Sequence, residues 1–150
     1  PCTVITNSLP VAMTLGEADA VEIILCPGDY LPSEAAVVGT DAIEFIERHS
    51  VDRCLIGASG LSESGLSESV RGFAAIKRAM LRQSAKSRLL IDCEKFGRKG
   101  LAKIGTMSDI ASVVVDKAPS GELAMALIDA RVDIRLSHQN ENQRLPAKGC

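Results

Sequence analysis

Asp52-Arg53-Cys54-Leu55-Ile56-Gly57-Ala58-Ser59-Gly60 reads as one strand running into a glycine turn. Its centre is continuously apolar, the pattern of a strand covered on both faces rather than one with a wet side. With residues 53–58 as the reference strand, five further Val/Ile/Leu-rich runs stand out at 3–6, 21–26, 87–91, 112–115 and 132–136. Helical periodicity lies between them. Residues 40–49 carry Ile43 and Ile46. Residues 70–84 carry Val70, Phe73, Ile76, Met80 and Leu81, with Ser69 as the expected N-cap. Residues 122–131 carry Leu123, Leu127 and Ile128 after the Pro119-Ser120-Gly121 turn. Strands alternating with helices in this way predict an α/β domain, a Rossmann-like, mainly parallel sheet flanked by helices.

A chain of 150 residues suits one domain with a single core. With one Tyr, three Phe and no Trp, that core must be aliphatic. No apolar run approaches the roughly 20 residues of a membrane span, so the expected location is cytoplasmic, with no membrane partner. The cysteines (Cys2, Cys26, Cys54, Cys93, Cys150) are odd in number and never paired as C-x-x-C. They read as free thiols, and neither His49 nor His138 lies near enough in sequence to make a zinc set with them. No metal and no cofactor is expected.

Charge is close to balanced, at −2, which disfavours a nucleic-acid surface as the main role. Its distribution is uneven, however. Residues 1–70 hold eleven acids against two bases, and residues 71–103 hold ten bases against two acids. Between these halves Gly60-Leu61-Ser62-Glu63-Ser64 is repeated at once as Gly65-Leu66-Ser67-Glu68-Ser69. Its glycines and serines read as a flexible loop. Residues 137–150 are polar and read as a tail.

In open α/β sheets ligands bind beyond the carboxyl ends of the strands. Those ends here carry Thr6-Asn7-Ser8, Pro27-Gly28-Asp29, Gly57-Ala58-Ser59-Gly60 and Asp92-Cys93-Glu94-Lys95. Glycine admits close backbone approach, hydroxyls and amides hold phosphate oxygens, and Lys95 adds a compact positive charge. The inventory suits a small polyhydroxylated anion. Lys77, on the flank of the apolar stripe of its helix, reads more simply as a snorkelling side chain. Asp52 and Asp116, beside strands, read as acceptors for loop amides.

In order and spacing these segments resemble the C-terminal sensor domain of DeoR-family transcription regulators. They run from Thr6-Asn7-Ser8 through 52–60, Lys77-Arg78-Ala79-Met80 and 92–98 to Ser108-Asp109-Ile110 and 113–116. The strongest is Asp92-Cys93-Glu94-Lys95-Phe96-Gly97-Arg98, which looks like the family's D-x-x-K-F-G pattern. The resemblance implies a fold shared with ribose-5-phosphate isomerase. It also implies a phosphorylated sugar or related metabolite as effector, and control of DNA binding by an N-terminal winged helix-turn-helix absent from this chain. It puts Asn7, the Gly57–Gly60 turn and Lys95 around the ligand, and with Gly28 from the strand ends the expected ligand-binding residues are Asn7, Gly28, Gly57, Ser59, Gly60 and Lys95. Family members also begin with a further strand and a D-x-G-T-T-like phosphate loop. Here Pro1 stands directly before the first strand, so residues 1–136 are expected to be the sensor without that strand and loop. A homo-oligomer is expected.

Two enzymatic readings compete with the sensor. A serine hydrolase would need G-x-S-x-G around Ser59, and Leu61 breaks it. A sugar-phosphate isomerase needs a base to take a proton from carbon. The D-G-A-D-E cluster of the ribose-5-phosphate isomerases corresponds to Ile56-Gly57-Ala58-Ser59-Gly60, with no carboxylate in the segment. No catalytic residue is therefore assigned. A purely structural module is disfavoured by Lys95 and the polar strand ends.

Overall fold

The computed structural model describes residues 1–137. The chain runs β1 (Cys2–Thr6), α1 (Leu9–Leu15), β2 (Val21–Leu25), β3 (Asp29–Leu31), β4 (Ala36–Val38), α2 (Thr40–Glu47) and β5 (Val51–Ile56). It continues through β6 (Gly60–Ser62), β7 (Gly65–Glu68), α3 (Arg71–Arg82), β8 (Ser84–Leu90) and β9 (Ala102–Gly105), ending with β10 (Ser112–Val115), α4 (Gly121–Asp129) and β11 (Asp133–Leu136).

All six strands expected from the apolar runs form. Four make a parallel sheet in the order β11-β10-β8-β5, and β1 pairs in parallel with β2. The three expected helices form as α2, α3 and α4, each trimmed by a residue or more at an end. The fold is α/β, with a parallel sheet flanked by helices. One core lies on the face of the sheet carrying Cys54, Ile56, Leu89, Val113 and Val115, where Leu123 and Leu127 of α4 pack. A smaller cluster joins Cys26, Val37, Ala42 and Ile46 to Ile76 and Ala79 of α3. The opposite face of the four-stranded sheet presents Leu55 and Leu90, both exposed.

The repeated pentapeptide corrects the sequence reading. It is a buried β-hairpin, with Leu61 opposite Leu66 and Gly60 opposite Ser67, and β9 extends it to three strands. Both leucines are fully buried in the main core. Glycine and serine appear there because other backbone lies directly against the hairpin. A Cβ on Gly60 would stand 2.2 Å from the Arg98 carbonyl oxygen, and one on Gly65 would stand 2.3 Å from that of Gly105. The expected Ser69 cap fails as well. Val70 caps α3 without a side-chain bond, and the amide of Ser69 is turned to Ser59 and Glu68.

Of the tail expected over residues 137–150, all but Ser137 lies outside the described residues, as do His138 and Cys150. Of the remaining thiols, burial pushes Cys26 and Cys54 up in pKa, and both behave as small core hydrophobes. Cys93 is also raised, first by its hydrogen bond to Asp116. Among the described residues no group of three His, Cys, Asp or Glu could hold a metal ion. No helix among them is long and apolar enough to cross a membrane.

Candidate functional site

A cleft of about 680 Å³ opens beyond the carboxyl ends of β5 and β8, within the usual size range for small-molecule sites. Gly57, Ala58 and Ser59 enter from the turn after β5, and Lys95 from the 3-10 turn Cys93–Lys95 after β8. Arg98, Lys99 and Gly100 follow on the next loop, while the hairpin contributes Glu68 and α3 contributes Lys77. A second hollow of about 450 Å³ is lined by Asn7, Ser8, Glu34 and Phe73. It shares Ser59, Glu68, Ser69 and Lys77 with the first, so these four residues stand between the two.

The basic loop is fixed by the hairpin beneath it. Gly97 N–H donates to the Leu61 carbonyl at 2.8 Å, and Gly100 N–H donates to Ser67 Oγ at 2.7 Å. Upstream, Asp116 accepts the Cys93 amide at 2.7 Å, as expected of an acceptor for loop amides. Asp92 Oδ2 lies 3.1 Å from Lys95 Nζ, which aims the half-exposed ammonium. The other oxygen of Asp92 is buried without a hydrogen-bond partner among the described residues. Lys99 reaches Glu63 on the hairpin turn at 2.7 Å.

At the waist between the two hollows lies a polar cluster that the sequence did not announce. Glu68 is buried, yet it receives Lys77 Nζ at 2.5 Å, the Ser59 hydroxyl and the Ser69 amide at 2.9 Å. Burial alone would raise its pKa. The hydrogen bonds from Lys77 and Ser59, with the Lys77 charge and the Ser69 amide, outweigh that and hold the carboxyl below the usual glutamate range. Lys77 is therefore no snorkelling side chain. Its side chain is four-fifths buried, and its ammonium is paired and lies 5.7 Å from the centre of the Phe73 ring.

Of the six site residues expected from sequence, Gly57, Ser59 and Lys95 line the first hollow and Asn7 the second. Asn7 is fixed to β4 by donating Nδ2–H to the Val37 carbonyl at 2.9 Å. Gly28 and Gly60 line neither hollow. Both answer a packing demand, since a Cβ at Gly28 would meet the Val38 carbonyl oxygen at 2.5 Å and its φ is +138°. Glu68, Ser69, Arg98, Lys99 and Gly100 were missed, and for Glu68 the available signal was the second leucine-centred half of the repeat.

The DeoR C-terminal sensor domain model matches residues 1–117. The chain belongs to the DeoR C-terminal sensor-domain family. Its similarity to curated regulators agrees. It is 28% identical over 142 residues to the HTH-type transcriptional repressor GlcR of Bacillus subtilis (strain 168), covering 95% of this chain and 55% of that protein. It is 29% identical over 134 residues to the glycerol-3-phosphate regulon repressor of Escherichia coli (strain K12), covering 89% and 53%. To the L-fucose operon activator of the same organism it is 29% identical over 128 residues, covering 85% and 51%. The chain spans about half the length of these relatives. All are named as regulators of transcription, and the family model that this chain matches is that of a sensor domain. The site chemistry is compatible with that. A general base for carbon-bound protons needs a pKa near the working pH, and Glu68, the carboxylate at the waist, is depressed and tied by three donors.

Proposed function

We propose that this domain senses a phosphorylated sugar or related polyol phosphate. In this reading the phosphate lies against Lys95 in the basic hollow and Asn7, Gly57 and Ser59 face the rest of the ligand. The observation that carries the reading is the convergence of Lys77, Lys95, Arg98 and Lys99 with the small residues Gly57, Ala58 and Ser59 on one cleft at the strand ends. The printed names of two relatives, a glycerol-3-phosphate regulon repressor and an L-fucose operon activator, fit a small phosphorylated or sugar-derived effector. Replacing Lys95 with alanine removes a charge half-exposed at the cleft, and is expected to cost about 1.5–3 kcal/mol of sugar-phosphate binding by calorimetry. The unphosphorylated sugar should bind the two proteins alike. Equal or stronger binding of the neutral sugar to the unaltered chain would rule out the phosphate role of Lys95.

The same reading has the effector control DNA binding by a winged helix-turn-helix in the whole protein, which functions as a homo-oligomer. It also has a further strand and an anion-cupping loop ahead of β1. Within the described residues β1 pairs only with β2, and β5 only with β8, so each has a free edge that a strand would satisfy. A chain extended N-terminally through such a loop should bind the sugar phosphate more tightly, because several backbone N–H groups would join the lysine. Identical affinities in the two chains would defeat this part of the proposal.

A further inference from the structure

Strand β11 forms one edge of the four-stranded sheet, the edge farthest from β5. Asp133 N–H donates to the Ala111 carbonyl at 3.0 Å and Ser137 N–H to the Val115 carbonyl at 2.8 Å, so the odd-numbered residues turn their backbone groups to β10. Alternate residues of a strand direct these groups to opposite sides, so Ile134 and Leu136 each present an N–H and a carbonyl outward. Val132 presents its carbonyl alone, since its N–H donates to the Leu127 carbonyl at 2.9 Å. Among the described residues no strand pairs with this edge. Asp133 and Arg135 flank Ile134 on one face of the strand, both half-exposed, with Arg135 Nε 2.6 Å from Asp133 Oδ2. On the other face Val132 is buried in the main core, Ile134 packs against it and Leu136 is exposed.

We infer that β11 pairs antiparallel with β11 of a second copy of this chain, with Ile134 opposite its own counterpart on a two-fold axis. This rests on the homo-oligomer reading above and names the surface. An edge strand is usually guarded by charges that repel a copy of itself; here the two charges are opposite in sign and placed symmetrically about Ile134. In a two-fold contact residue i meets j and j meets i. Asp133 therefore lies opposite the partner's Arg135, and Arg135 opposite the partner's Asp133, so the charges alternate around the axis. Ile134 exchanges both backbone bonds with its counterpart, and Leu136 N–H reaches the partner's Val132 carbonyl. The exposed Leu136 side chain then covers the partner's Val132. An axis through Asp133 or Arg135 would set like charges directly opposite each other, which is unfavourable. One through Leu136 would put Arg135 opposite the partner's Ser137, where no charge answers it. The ligand cleft stays open in this arrangement, because it lies beyond β5 and β8.

Sedimentation velocity of the chain over a wide concentration range tests this. The contact is one short strand, so association should be reversible and concentration-dependent. D133R and R135D each change a half-exposed residue and should fold with an unaltered circular dichroism spectrum. Each should weaken self-association at least about tenfold, because like charges then face each other twice across the axis. Mixing the two variants should restore the dimer as a heterodimer, since one strand then carries only positive and the other only negative charge. The double variant D133R/R135D should dimerise like the unaltered chain. Amide exchange at Ile134 and Leu136 should slow as protein concentration rises. Protection independent of concentration would mean that residues 138–150 of the same chain cover the edge, and would overturn the inference. Dimers indifferent to both single variants would also overturn it, leaving the homo-oligomer reading to another surface. A chain monomeric at every concentration would overturn it too, and the homo-oligomer reading falls only if the whole protein is monomeric as well.

Discussion

Replacing Gly65 with alanine is expected to destabilise the domain by about 2–5 kcal/mol, on the order of 10 °C in Tm. Two costs coincide at this residue. Its φ of +111° lies where an L side chain is strained, roughly 1–2 kcal/mol. A Cβ would also stand 2.3 Å from the Gly105 carbonyl oxygen and 3.1 Å from Thr106 Cα, backbone that cannot swing aside as a side chain would. Relief requires β7 and β9 to separate, which would uncover Leu66 and the leucine opposite it. Gly97→Ala is the control. Gly97 also has a positive φ, +75°, but nothing lies within 4 Å of its Cβ position, so only the conformational part remains. Thermal unfolding of the two variants separates strain from collision, and equal losses would show that close packing of the hairpin is not what Gly65 serves.

The same hairpin shows where reading from sequence failed. Periodicity found the parallel strands because burial on both faces leaves uninterrupted apolar runs such as Val113–Val115 in the sequence. The hairpin buries every residue of both strands, yet it does so with Gly, Ser and Glu around single leucines. Composition then points to a loop, while burial comes from backbone pressed against backbone. The short helix α1 escaped for a different reason. Seven residues with no acid in the first turn leave little periodic signal, and the clue was local, namely Ser8 capping Val11 with a proline at the first turn.

The site was legible in proportion to how local its geometry is. Lys95 is placed by an i,i+3 contact with Asp92 and a turn three residues long, so the D-x-x-K spacing carries it directly. Gly57 and Ser59 follow a strand that periodicity had located. Glu68 and Lys77 are nine residues apart on a strand and a helix, and only their packing brings them together. In sequence Lys77 looked like the charged edge of an amphipathic helix because its position on α3 is the same in either role. The difference lies in what faces it.

That pair supplies the second large effect. Lys77→Met is expected to cost about 2–4 kcal/mol, because it leaves the Glu68 carboxylate buried with only Ser59 and the Ser69 amide to hold it. Glu68→Gln should cost a comparable amount by stranding the ammonium. The double substitution removes both charges and should cost clearly less than the sum of the singles. Acidification gives an independent check with a fixed sign. The folded-state pKa of Glu68 is depressed, so its stabilisation is present above the unfolded glutamate pKa and disappears as pH falls through the lower, folded value. The unaltered chain should therefore lose stability below about pH 5, the onset for such a linked carboxylate, more steeply than Lys77→Met does. Denaturant unfolding of the four proteins across that range tests both statements. Additive single and double effects, together with parallel pH profiles, would mean that the Glu68–Lys77 contact contributes nothing beyond two separately solvated charges.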